Sequence, residues 1–120
     1  MRRFYRTSRS LDRYDLVRDL RPEAALFTAI RRRVRVKFSY GQERHLRIFE
    51  PFAIFRDMDN LLQVYGWQVR NPGQTNEPAT LRRFEIARLG ALALTDATIT
   101  ASAIFFRTPI RGAREIICSI

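Results

Sequence analysis

At 120 residues the chain has the length of one domain, with room for a real core. It is 46% hydrophobic with nine Phe, which excludes a disordered chain, and it contains no run of about eighteen apolar residues that would cross a membrane. Its 22 basic residues against 12 acidic ones give a net charge of +10 and a pI near 11.3, the balance of a protein whose partner is a polyanion.

Arginine supplies all of the basic residues except Lys37. A GC-rich coding bias accounts for Arg over Lys, but not for the net excess. The charge is also uneven, since residues 1–35 hold 11 basic and 4 acidic groups. A single cysteine, Cys118, forms no intramolecular disulfide. The basic first residues lack the apolar segment of a signal peptide, and a reducing cytoplasm is the expected setting.

The chain opens with Arg2, Arg3, Arg6 and Arg9 interleaved with Phe4 and Tyr5. That pattern suits a phosphate clamp as well as it suits a terminal tail. Leu11, Tyr14, Val17 and Leu20 recur every three residues behind Ser10 as an N-cap, which predicts a short amphipathic helix. Pro22 and Glu23 start a second helix with Leu26, Ala29 and Ile30 as its apolar stripe. Arg31, Arg32 and Arg33 lie at its C-terminal end, where cations are favoured.

At Val34 the period changes to two. Val34, Val36, Phe38 and Tyr40 alternate with Arg35, Lys37 and Ser39, which predicts a half-buried strand with one basic face. After a turn at Gly41 and Gln42, Leu46 and Ile48 alternate with His45, Arg47 and Phe49 in a second strand that Pro51 closes or bends. Residues 52–55 read as a third strand and 57–60 as a tight turn. Residues 61–69 are the longest charge-free β run and read as the central strand. Tyr65 and Trp67 fall on one of its faces and Leu62, Val64 and Gly66 on the other. Trp67 is expected in the core and Tyr65 at the core or its rim.

A polar loop over 71–80 precedes a strand at 81–86, with Phe84 and Ile86 inward and Arg83 and Glu85 outward. Residues 87–90 form a helical turn, and 91–94 close the sheet. The tail alternates weakly around Ile104, Phe105, Phe106 and Ile110. Short antiparallel strands behind one helix predict a mainly β fold, a small barrel with an N-terminal helix. The expected organisation is a basic arm at 1–21, a barrel domain at 22–96 and a C-terminal extension at 97–120.

Catalysis finds no footing in these residues. The lone His45 sits in a basic strand without an evident carboxylate or nucleophile partner, and Cys118 lacks an activating motif. No Cys/His cluster has metal spacing, no Gly-rich loop cradles phosphate, and the carboxylates are scattered. The expectation is a binding protein without cofactor or metal. From charge and strand alternation, Arg33, Arg35, Lys37, Arg44 and Arg47 are the candidate anion contacts. Tyr65 and Tyr40 are candidate stacking faces for bases.

The order of these features resembles the WYL domain of bacterial regulators. Ala29-Ile30 leads into a basic alternating strand ending at Tyr40, an arginine-rich strand ends at Pro51, and Gly66-Trp67 is followed after a loop by Arg82-x-Phe84-x-Ile86-x-Arg88-Leu89. The namesake Trp-Tyr-Leu triplet falls on Leu62-Gln63-Val64, and the family's Asp before the second signature arginine is Ala87 here. The chain is therefore similar to a stand-alone, divergent member. The resemblance covers residues 24–96 and implies an Sm-like or SH3-like antiparallel β-barrel. It further implies a regulatory, ligand-sensing domain in transcriptional or phage-defence-type regulation. Tyr40, Arg82 and Arg88 match the family pattern as binding residues; an ion pair of either arginine with Glu85 or Asp96 is the structural alternative. The implied partners are nucleic acid, single strands favoured, or an anionic small ligand. A second reading is an interaction or oligomerisation module that docks an effector, or a second copy, through the apolar tail and sheet edge.

Overall fold

The computed structural model describes residues 21–71, 77–100 and 110–120. The basic arm, its short helix and the residues around Phe105 lie outside the described residues. Helix α1 (Arg21–Arg32) carries Glu23 in its first turn and Arg31 and Arg32 in its last, each against the favourable end of the helix dipole. Leu26, Ala29 and Ile30, three and four apart, form its buried stripe. The helix stops at Arg33, which takes a left-handed φ of 57° and still donates its N–H to Ile30 O at 3.2 Å.

Six strands follow: β1 (Val34–Tyr40), β2 (Arg47–Asp57), β3 (Leu62–Val69), β4 (Thr80–Glu85), β5 (Leu89–Thr98) and β6 (Ala113–Ser119). A 3-10 turn, Ile86–Arg88, joins β4 to β5. All the pairings are antiparallel, in the order β4-β3-β2-β1-β5, with β6 also on β2. The sheet is not closed: β4 and β5 end the path.

Two expectations are corrected here. The second and third strands expected from the sequence are one strand, β2, and it takes the central place expected for residues 61–69. Its first part pairs with β1 as far as Phe49, its last part pairs with β6 from Ala53, and β3 runs along its other side. Pro51 falls between the two neighbours and beside a bulge, so its missing N–H costs no ladder bond on that side. Gly66, opposite Pro51, lies so close to β2 that a Cβ would sit 2.1 Å from Glu50 O.

One sheet face packs on α1. Val36, Phe38, Phe49, Ile54, Val64, Phe84 and Ile86 join the helical stripe in a single cluster. Phe38, Phe49 and Phe84 meet edge to face with centroids 5.1–5.8 Å apart, each pair worth about 0.5–1.5 kcal/mol beyond its buried area. The register places Lys37 opposite Ile48, Glu50 opposite Trp67, Trp67 opposite Leu81, and Tyr65 opposite Arg83. These residues share the other face, turned away from α1.

Candidate nucleic-acid interface

The predicted site residues divide between the two faces. On the α1 side, Phe84 is the centre of a stack. Arg82 lies over its ring at 5.1 Å and Arg47 at 5.4 Å, and the Tyr40 ring meets it at 4.9 Å. Arg88 in turn covers Tyr40 at 4.9 Å. Gly41 N donates to Arg88 O at 3.0 Å, and a Cβ on Gly41 would meet the Arg88 guanidinium at 2.8 Å, so the turn after β1 clasps this arginine. The Tyr40 hydroxyl accepts from Glu85 N at 3.1 Å. Tyr40, distant in sequence from Arg82 and Arg88, is therefore a member of one stack with them. Arg44 is exposed in the connection from β1 to β2.

Two of these arginines are already engaged. Arg47, only 3% exposed, donates Nε and Nη2 to both Glu43 oxygens at 3.0 and 2.7 Å and Nη1 to Gln68 Oε1 at 2.6 Å and Glu77 Oε1 at 3.1 Å. Arg82 donates to the same Glu77 oxygen, and so does Gln68 Nε2 at 3.2 Å. Burial opposes the Arg47 charge, but the Glu43 and Glu77 carboxylates outweigh it and hold its pKa above the ordinary value. The Arg47 hydrogen bond, with that of Gln68, pushes Glu77 down to about 2. Arg82 thus has Glu77 as its carboxylate partner, in place of the Glu85 or Asp96 that the sequence suggested.

Ligand atoms of Glu43, His45 and Glu77 lie within 4.8 Å of one another, and His45 Nε2 is buried without a hydrogen-bond partner, 3.7 Å from Glu43 Oε2. The guanidinium of Arg47 occupies the mouths of both carboxylates. The cluster works as an ion-pair cap over Phe84, and a cation entering it would have to displace that arginine.

The opposite face is built differently. Glu50, fully buried, accepts from Arg35 Nε at 2.7 Å and from Thr100 N and Oγ1 at 3.0 Å each. Arg35 Nη2 also reaches Thr100 Oγ1 at 3.1 Å, which ties β1 to the end of β5. Tyr65 and Trp67 stand half-buried in the middle of this face. Trp67 is not in the core cluster, which corrects the expectation from sequence. Tyr65 meets Phe52 edge to face at 6.5 Å, and Arg83 covers Phe55 at 5.1 Å. Lys37 and Arg83 are exposed on either side of the aromatics; among the described residues neither lies within salt-bridge distance of a carboxylate, though, with the Leu61 N–H, the Arg83 charge helps to hold the Asp57 carboxyl below its ordinary range. Arg33 is exposed at the start of β1, where its carbonyl accepts from Ile99 N at 2.8 Å.

Of the residues that sequence marked as one set, the structure places Arg35, Lys37 and Tyr65 on one face and Tyr40, Arg47, Arg82 and Arg88 on the other. It missed Trp67 and Arg83 as surface neighbours, and Gln68 and Glu77 as the partners of Arg47. The register would have placed Arg83 beside Tyr65, but it depends on the length of the loop before β4. No protein-family model, no curated protein and no solved structure matches the chain.

Proposed function

We propose that this chain is a regulatory, ligand-sensing domain of the cytoplasm that binds nucleic acid, single strands in preference to duplex, or another anionic ligand of that kind. The face turned away from α1 is the binding surface. The observation that carries this reading is the pair Tyr65 and Trp67, half-buried on a face that also presents the exposed cations Lys37 and Arg83. Two residues apart on one strand, the aromatics are spaced by roughly 6.6 Å, which suits successive splayed bases. Each stacked base contributes about 1–3 kcal/mol, and the flanking cations neutralise phosphates.

Single strands are favoured because a shallow sheet face meets unstacked bases, whereas a duplex presents its bases only inside grooves. The described helix, α1, packs on the opposite side. The WYL-like succession supports a role in transcriptional or phage-defence-type regulation. The bulged β2 with neighbours on both sides fits an Sm-like barrel left open between β4 and β5.

Trp67 is the only tryptophan and so reports on this face directly. Titration with an unlabelled single-stranded oligonucleotide is expected to change its emission saturably. Tyr65→Ala is expected to weaken the binding about 5–100-fold, the loss of one stacked base. Unchanged Trp67 emission at low salt rejects the assignment of this face.

A further inference from the structure

We infer that Arg33, with Arg32 beside it, is a phosphate-binding corner that takes the backbone of the bound strand from the aromatic face toward the C-terminal end of α1. The inference rests on the nucleic-acid reading above and extends it past the start of β1. It begins with the backbone. Arg33, the residue just after α1, holds a left-handed φ of 57°. Glycine fills that place freely, whereas a residue with a Cβ does so at a cost. Its N–H goes to Ile30 O at 3.2 Å and its carbonyl accepts from Ile99 N at 2.8 Å, so the strained turn is held on both sides. No described contact of the side chain offsets the cost. Arg32 and Arg33 are exposed, and among the described residues neither lies within salt-bridge distance of a carboxylate. A strained residue whose side chain is left facing solvent points to a ligand that uses it.

The register sets this corner beside the aromatic face. Arg35 bonds Glu50, which stands opposite Trp67, so β1 and β3 lie two strand spacings apart there, about 10 Å. Both strands run antiparallel to β2 and hence parallel to each other. Arg33, two residues before Arg35, is therefore level with Tyr65, two residues before Trp67. Arg83 faces Tyr65 from β4, on the other flank. Arg33 thus offers from the β1 side what Arg83 offers from the β4 side, while Arg35, between Arg33 and Lys37, is engaged by Glu50. Arg31 is placed elsewhere. Burial pushes the Cys118 thiol up and the Arg31 charge opposes it, and Cys118 packs against the core on the α1 side. Two adjacent guanidiniums, each able to hold a phosphate bidentately, suit successive phosphates of one backbone.

Thermal melts and anisotropy with a labelled single-stranded oligonucleotide across a salt series, both on the full chain, test the corner. Arg33→Gly relieves the backbone and removes the charge, so it is expected to raise Tm while weakening binding. Its log–log salt slope should be shallower by about 0.7, one phosphate contact. Arg33→Gln keeps the Cβ and loses only the charge, and the same change of slope is expected with Tm unchanged. Arg32→Gln/Arg33→Gln should lose about 1.4. Arg31→Gln removes an equal charge two residues away and should leave the slope as it is. A purely structural role for Arg33 would move Tm alone, so an Arg33→Gly variant with wild-type affinity and slope overturns the proposal. An Arg31→Gln variant that loses as much slope as Arg33→Gln overturns it too, because charge anywhere on the segment would then suffice. In both cases the wild type still binds and Tyr65→Ala still weakens it, whereas a wild type that binds no oligonucleotide overturns the nucleic-acid reading and the corner together.

Discussion

Glu77 holds two of the arginines that charge alone marks as ligand contacts, Arg47 and Arg82, on one oxygen. Its loss would leave Arg47 buried with Glu43 as its remaining carboxylate. Glu77→Gln is expected to cost about 1 kcal/mol, the low end for a charged hydrogen bond whose carboxylate is a third exposed. The pH dependence has a definite sign. The Glu77 pKa falls from 4.5 to about 2 on folding, so its contribution is complete above pH 4.5 and is lost as pH drops toward 2. Thermal melts over that window should show the wild type losing stability faster than Glu77→Gln. Arg82→Ala is expected to behave as a stability variant too, lowering Tm by removing one of the Glu77 donors and a cover of Phe84. Gly66→Ala is more severe. Its Cβ would meet Glu50 O at 2.1 Å and Phe49 Cζ at 2.9 Å, and forcing β3 from β2 is expected to cost about 3 kcal/mol or more, read as a large fall in Tm or loss of the folded state.

At the scale of elements, α1 and β1 were legible because each obeys a single period: Leu26, Ala29 and Ile30 along the helix, Val36 and Phe38 along the strand. β3 was equally plain, since its buried positions are the alternate residues Val64, Gly66 and Gln68. β2 was not. Residues 49–55 are buried without a break, because the strand is covered on both faces and changes neighbour in mid-course, so alternation is lost where it would be read. Pro51 then looked like an end, although it marks only the exchange of β1 for β6. β6 was hidden by its two register shifts, which put Arg114 and Glu115 beside Ile116 and Ile117 and erase the period. The turn between β2 and β3 was legible from its composition. Asp57 accepts from Asp59 N and Leu61 N at 2.9 Å each and from Gln63 Nε2 at 2.7 Å, and the backbone bond from Leu61 is foremost in holding its carboxyl below the usual range. Asp57→Ala is expected to lower Tm above the carboxylate range and to converge with the wild type in acid.

For the whole molecule, the distribution of ion pairs matters more than the total charge of +10. Arg35, Arg47 and Arg82 spend their charge on Glu50, Glu43 and Glu77, and they hold the sheet and its cap together. Lys37 leaves its charge exposed on the face turned away from α1, and Arg83 lies exposed on the same face over Phe55, where its charge also acts on Asp57. Sequence could count these cations but not sort them, because Glu50 and Glu77 come from other strands and loops than the arginines they bind. The sorted picture separates binding from stability. Lys37→Ala should reduce affinity with Tm unchanged, and Arg83→Ala should reduce affinity with a smaller fall in Tm than Arg35→Ala or Arg82→Ala, whose ion pairs are lost.

The most direct test is fluorescence anisotropy with labelled single-stranded and duplex oligonucleotides across a salt series, for the wild type and the Lys37→Ala/Arg83→Ala double variant. Saturable single-strand binding that weakens with salt is expected, with a log–log slope that the double variant makes shallower by about 1.4, two phosphate contacts at roughly 0.7 each. Binding that ignores salt, prefers duplex, or is unchanged in the double variant would contradict the account.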